Sequence, residues 1–123
     1  MSEDPRRALG RAGEDEAARY LEERGYRVLA RNVRAGGVEL DLVVSRGGVV
    51  AFVEVKARRG RSHGGAEEAV DARKRARLVR GAAAWLANQP ARYRQARFDV
   101  VACELENGAW QVRHWPGAFD AGD

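Results

Sequence analysis

The chain has 123 residues, the length of one domain, with room for a core around a small sheet and too little chain for two catalytic lobes. Hydrophobic residues at 45% and charged residues at 33% exclude a disordered or fibrous chain; no apolar run nears the ~20 residues of a membrane span, and the start MSEDPRRALG lacks the apolar stretch of a secretory signal. The net charge of +4 is uneven, with nine basic residues against three acids from Lys56 to Arg80 and one against four from Glu104 to Asp123, which suits a polyanion approaching one face, or else an ordinary arginine-rich surface.

Leu9 to Arg24 reads as a helix with a narrow apolar stripe of Leu9, Ala17, Ala18 and Leu21. Gly25 is its natural stop, and Gly10 and Gly13 would let it approach other backbone closely. Tyr26 to Val33 reads as a strand in which Tyr26, Val28 and Ala30 alternate with Arg27, Leu29 and Arg31. Ala35-Gly36-Gly37 turns the chain into a second strand, Val38 to Val44; Ser45 to Gly48 turns it again into a third, Val49 to Lys56. Ala57 to Gly65, rich in arginine and glycine, predicts a mobile basic loop. Ala66 to Asn88 predicts a long helix with Val70, Leu78, Ala82, Trp85 and Leu86 inside, ended by Gln89-Pro90. Phe98 to Glu104 and Trp110 to Trp115 form two last strands around Asn107-Gly108, while residues 1–6 and 117–123 are expected to fray. The order α-β-β-β-α-β-β requires a crossover, hence an α/β domain with a mixed sheet flanked by helices.

The informative feature is charge where a strand should be apolar. In VELDLVV, Val38, Leu40, Leu42 and Val44 share one face, and Glu39, Asp41 and Val43 the other. In VVAFVEVK, Glu54 and Lys56 share a face with Val50 and Phe52. A two-residue turn at Gly47-Gly48 sets Asp41 opposite Glu54 and Glu39 opposite Lys56; a looser four-residue loop sets Glu39 opposite Glu54. Both registers gather the four charges on one face. Opposed carboxylates repel unless a proton, Lys56 or a metal ion lies between them. Oxygen ligands at this density suit Mg²⁺ or Mn²⁺, which keeps several waters and needs one or two carboxylates. The plainer alternative, a solvated face, would leave Val50 and Phe52 exposed. Glu14 projects from the apolar stripe of the first helix toward the same site, if it is more than a surface residue near the helix start. Of the 22 basic residues 20 are arginine, and the exceptions are Lys56 and Lys74; lysine is the compact cation whose pKa falls in a confined site.

Glu39-x-Asp41, twelve residues, then Glu54-Val55-Lys56 is similar to the PD-(D/E)XK nuclease pattern, with Leu40 at the position of its proline. The ordered set of Gly13-Glu14 with Ala17, VELDLVV, FVEVKAR, Lys74 and RFDVV at Arg97 to Val101 resembles the YraN family of bacterial proteins over residues 9–103. That resemblance implies the restriction-endonuclease-like fold of the archaeal Holliday-junction resolvases. It also implies Asp41 and Glu54 as metal-binding acids, joined by the Val55 carbonyl, with Mg²⁺ or Mn²⁺ as cofactor. Lys56 would be the catalytic lysine, Glu14 an auxiliary acid with Glu39 close by, and Lys74 a further polar group near the site. Arg58, Arg59 and Arg61 of the loop, with Arg73, Lys74, Arg77 and Arg80 of the second helix, would grip the phosphate backbone without reading sequence. The implied activity is metal-dependent endonuclease cleavage of DNA, at branched or damaged sites, and the two cuts of a junction would call for a homodimer. The alternatives are a nucleic-acid-binding module with this fold and no turnover, or an interaction domain for a protein partner.

The remaining residues read as structural. His63 is a loop histidine, and His114 has no second histidine near it to share a metal. Trp85 belongs to the core, and Trp110 and Trp115 cover the last hairpin. Asp99, inside an apolar strand, needs a hydrogen bond or an arginine partner. The single cysteine, Cys103, reads as a buried thiol; it excludes an internal disulfide and suits a reducing cytoplasm.

Overall fold

A computed structural model describes residues 3–60 and 71–121. The elements are α1 (Pro5–Glu23), β1 (Arg27–Ala35), β2 (Val38–Arg46), β3 (Val49–Arg59), α2 (Ala72–Ala87), β4 (Gln95–Glu106) and β5 (Ala109–Phe119). The order is the expected α-β-β-β-α-β-β, and the strands form one mixed sheet in sequence order. β3 and β4 run parallel, joined by the crossover that carries α2; every other neighbouring pair is antiparallel. This α/β architecture is consistent with a restriction-endonuclease-like fold. Among the described residues no helix is long and apolar enough to cross a membrane.

Both helix starts differ from expectation because caps decide them. α1 begins at Pro5, where the missing N–H costs nothing and Asp4 accepts from the Arg6 N–H at 2.9 Å; Pro5 and Arg6 therefore do not fray. It ends as expected at Gly25 (φ +89°), where the Gly25 N–H donates to Glu22 and the Tyr26 N–H to Leu21, the paired closing bonds of a glycine-stopped helix. α2 begins at Ala72, six residues later than expected, because the extended Asp71 caps it and accepts from the Lys74 N–H at 2.9 Å. Val70, Arg61 and His63 lie outside the described residues.

The sheet is longer than the sequence suggests. Ala57, Arg58 and Arg59 are strand and not loop, because β4 pairs with β3 as far as Arg59–Leu105 and the Gly60 N–H then donates to Leu105. β5 likewise extends to Phe119, which is buried beside Phe98, so residues 117–119 are ordered sheet.

A core lies on each face of the sheet. α2 covers Val38, Leu40, Val43, Val50, Phe52, Phe98, Val100 and Phe119 with Leu78, Ala82 and Trp85, while Leu86 packs partly buried beside them. α1 covers Leu42, Val44, Ala51, Val53, Val101 and Cys103 with Ala17, Ala18 and Leu21. A Cβ on Gly13 would stand 2.5 Å from the Ala57 Cβ, so this glycine is what lets α1 lie against β3. Gly10 has no such role, with nothing within 4 Å of the place a Cβ would take.

Two strands break the simple alternation. In β1 a bulge between Val28 and Ala30 sends Tyr26 and Val28 to the α1 core and Leu29 and Ala30 to the α2 core. In β2, Val38 and Leu40 face α2 whereas Leu42 and Val44 face α1. The four do not share a face, and the slip falls at Asp41.

Candidate active site

The β2–β3 hairpin is the tight one: Gly47 and Gly48 take φ of +58° and +82°, and Arg46 pairs with Val49, as a two-residue turn requires. Its register points Asp41 at Glu54, but the ladder closes at Leu42–Val53. Beyond that the Asp41 carboxylate substitutes for backbone, accepting from the Val55 N–H at 2.9 Å. The expected pairing of Glu39 with Lys56 does not form; Glu39 is exposed and lies opposite Arg34 of β1.

Four side chains converge here: Asp41 from β2, Glu54 and Lys56 from β3, and Lys74 from the first turn of α2. Burial and the adjoining Glu54, through its charge and a shared hydrogen bond, push the Asp41 carboxyl up to about 8; the Val55 N–H pulls the other way and the charge of Glu14 adds to the rise. Glu14 is half-buried on α1 and acts on the site through that charge. Burial and the ammonium of Lys74 hold Lys56 below the usual lysine range, against the pull of Glu54 and Asp41. Lys74 moves the opposite way: burial would lower its pKa, but its close approach to Lys56 and Glu54 and the charges of Glu54 and Asp41 outweigh that.

Glu54 is only 8% exposed. Lys74 Nζ lies 2.9 Å from its Oε2, which pairs the charges, yet the approach is poorly directed and this buried oxygen takes no aligned hydrogen bond. At this site Asp41 and Glu54 form a donor pair, and among the described residues no three acidic, histidine or cysteine side chains close into a cage. Two adjoining carboxylates, one with an unsatisfied oxygen and the other driven to hold a proton, fit a hard divalent ion that keeps most of its water. They do not fit a closed structural zinc site.

Beside the pair opens a cavity of about 350 Å³ lined by Val38, Glu39, Glu54, Asp71, Arg73, Lys74, Arg77 and Leu78. Arg73, Arg77 and Arg80 are exposed on one stripe of α2, at the spacing that keeps helical residues on one side. Arg58 and Arg59 are exposed at the end of β3. Lys74, read from the sequence both as a polar group near the site and among the phosphate-gripping cations, points at Glu54. Asp71 on the cavity wall was not singled out by sequence; its signal is its place three residues before Lys74, where a cap would stand.

The residues read as structural behave so. Buried Asp99 accepts from Arg97 through both oxygens, at 2.8 and 2.9 Å, from the Gly117 N–H at 3.0 Å, and meets His114 Nε2 at 2.7 Å. Burial alone would raise its pKa; His114 and Arg97 hold it below the usual carboxylate range. Trp110 packs against the α1 core and Trp115 against the α2 core. Cys103 is fully buried and donates to the Gly13 carbonyl at 3.4 Å, and its thiol is pushed up to about 12 by burial and by Glu16.

A family model described as "Uncharacterised protein family UPF0102" matches residues 13–103. A "UPF0102 protein" of Symbiobacterium thermophilum is 50% identical over 116 residues, covering 94% of this chain and 98% of that one. Another, of Syntrophotalea carbinolica, is 46% identical over 115 residues and 94% of each chain. A third, of Nitratidesulfovibrio vulgaris, is 43% identical over 117 residues, 95% of this chain and 87% of its own.

Proposed function

This chain belongs to the UPF0102 family, and we propose that it is a divalent-cation-dependent nuclease that hydrolyses phosphodiester bonds in DNA. The observation that carries the reading is the buried Glu54 Oε2, which lacks an aligned hydrogen bond and stands beside an Asp41 carboxyl that burial and Glu54 push up to about 8. A site so arranged favours a divalent cation. Asp41 and Glu54 would hold Mg²⁺ or Mn²⁺ with the Val55 carbonyl. Such an ion supplies a water of lowered pKa and neutralises a phosphate oxygen.

The chain supplies the rest. Lys56, whose pKa is held below the usual lysine range by burial and by Lys74, orients the attacking water and supports charge developing on the phosphate oxygens. Glu14 and Glu39 add negative potential that favours the cation. Arg73, Arg77 and Arg80 of α2, with Arg58 and Arg59, align the backbone, and Arg61 belongs to the same basic set. Contacts to phosphate carry no sequence information, so the substrate would be recognised by shape, as branched or damaged DNA. Two copies in a homodimer would supply paired cuts, and a cytoplasmic site of action completes the reading.

The test is cleavage of a panel of junction, flap, single-stranded and duplex DNA with Mg²⁺ or Mn²⁺. Asp41→Asn, which removes a metal-holding acid, and Lys56→Ala, which removes the group that steadies the developing charge, should each lower the rate by about 100-fold or more. Cleavage that survives both substitutions overturns the assignment. One observation favours a second reading, a binding module without turnover: Lys74 already balances the Glu54 charge within the chain. That reading expects salt-sensitive DNA binding and no cleavage on any member of the panel.

A further inference from the structure

We propose that Lys74 is an exchangeable counter-ion: in the resting protein it occupies the cation position at Glu54, and it leaves that oxygen when a divalent cation enters. The inference rests on the nuclease reading and extends it to how the site is guarded. Its ground is the contact itself. The ammonium stands 2.9 Å from a nearly buried carboxylate oxygen without satisfying it as a hydrogen-bond acceptor, which is how a charge held by Coulomb attraction alone would sit.

The sequence and local structure fit a group that moves. The backbone under Lys74 is pinned, since its N–H is tied to the Asp71 cap on the first turn of α2. Its side chain is long and 36% exposed, at the wall of the 350 Å³ cavity. The stem can therefore swing outward while the helix stays in place. An ammonium and a divalent cation compete for Oε2, because two cations in contact distance repel each other. Arginine is the chain's ordinary cation, and at this position it carries one of its two lysines. A compact point charge can withdraw, whereas a planar guanidinium forked onto a carboxylate binds it more rigidly.

Outside the site, the ammonium would join Arg73 and Arg77 at the cavity mouth, where a phosphate of the substrate would pass. Polynucleotide would then draw Lys74 from Glu54, and each ligand would raise the affinity of the other.

The experiment is Mn²⁺ binding to the whole protein without DNA, followed by the electron-paramagnetic-resonance signal of free Mn²⁺. Lys74→Met keeps the stem and removes the charge; it should tighten Mn²⁺ binding at least about fivefold, the factor a unit charge at 4 Å contributes even in water. Lys74→Arg keeps the charge and should remain at or below the wild-type affinity. Glu54→Gln should weaken binding in any background. Equal or weaker binding by Lys74→Met, with the Glu54→Gln loss intact, overturns the counter-ion role and leaves the metal site standing. Mn²⁺ binding that none of the substitutions changes, or that never occurs, overturns both this inference and the reading beneath it.

Discussion

Asp41 and Asp99 are acids inside the same sheet, and their surroundings drive them in opposite directions. Asp99 has Arg97, His114 and a backbone N–H around its carboxylate, so ionisation is favoured despite burial. Asp41 has one backbone N–H and a second carboxylate, and its pKa rises to about 8. The sign of the consequence follows from proton counting. Between about pH 4 and pH 8 the unfolded chain has released this proton and the folded chain has kept it, so stability falls as pH rises across that window and levels off above it. Chemical denaturation of the metal-free protein should show a decline on the order of a few kcal/mol from this site. Asp41→Asn, which cannot ionise, should flatten it. A wild-type profile that is already flat from pH 4 to 8 would mean that the two carboxylates do not share a buried site.

At the scale of the element, β2 is two half-strands joined at Asp41. Its first half buries Val38 and Leu40 under α2 and its second buries Leu42 and Val44 under α1. Irregularities of this kind re-aim a side chain and end pairing, and here the change coincides with the last rung of the ladder to β3. The other face depends on Gly13. Alanine is the better helix former by about 0.5–1 kcal/mol, but a Cβ at Gly13 would stand 2.5 Å from the Ala57 Cβ. Overpacking of that kind costs about 1–3 kcal/mol, so the clash wins and Gly13→Ala should destabilise in urea unfolding. Adding Ala57→Gly removes the opposing atom and should restore part of the loss through coupling of the pair. Two independent, additive losses would show that the contact is not the cause. A shift of α1 there would also move Glu14, the next residue, relative to Asp41.

For the whole molecule, the helices divide the labour. α1 closes one face of the sheet, while α2 closes the other and also carries Lys74 inward and Arg73, Arg77 and Arg80 outward. The crossover between parallel β3 and β4 thus brings a basic stripe beside an acidic pair that lies on the adjoining strands. If this face holds a phosphate backbone, binding measured by fluorescence anisotropy without divalent ions should weaken steeply with salt. Replacing Arg73 and Arg77 together should lower the slope of log K against log salt by about 1.4 to 1.8, from the release of two counterions. An unchanged slope would move the binding face away from α2.

Element order, the tight glycine turn of the β2–β3 hairpin and the placement of Asp41 beside Glu54 were legible in the sequence, because strand alternation and turn chemistry act between near neighbours. So was the oddity of two lysines among twenty arginines, though not that the two would adjoin each other and that one would pair with Glu54. The residues that misled were those governed by distant partners. Arg58 and Arg59 read as loop until β4 pairs beside them, and Val38 and Leu40 read as companions of Leu42 and Val44 until two helices claim opposite faces of one strand. The contact of Lys74 with Glu54 spans twenty residues and exists only because α2 folds back over the sheet. Local periodicity supplied the strands and their charges; the packing of helices across the sheet decided which charges touch, because burial and electrostatic pairing depend on distance in space.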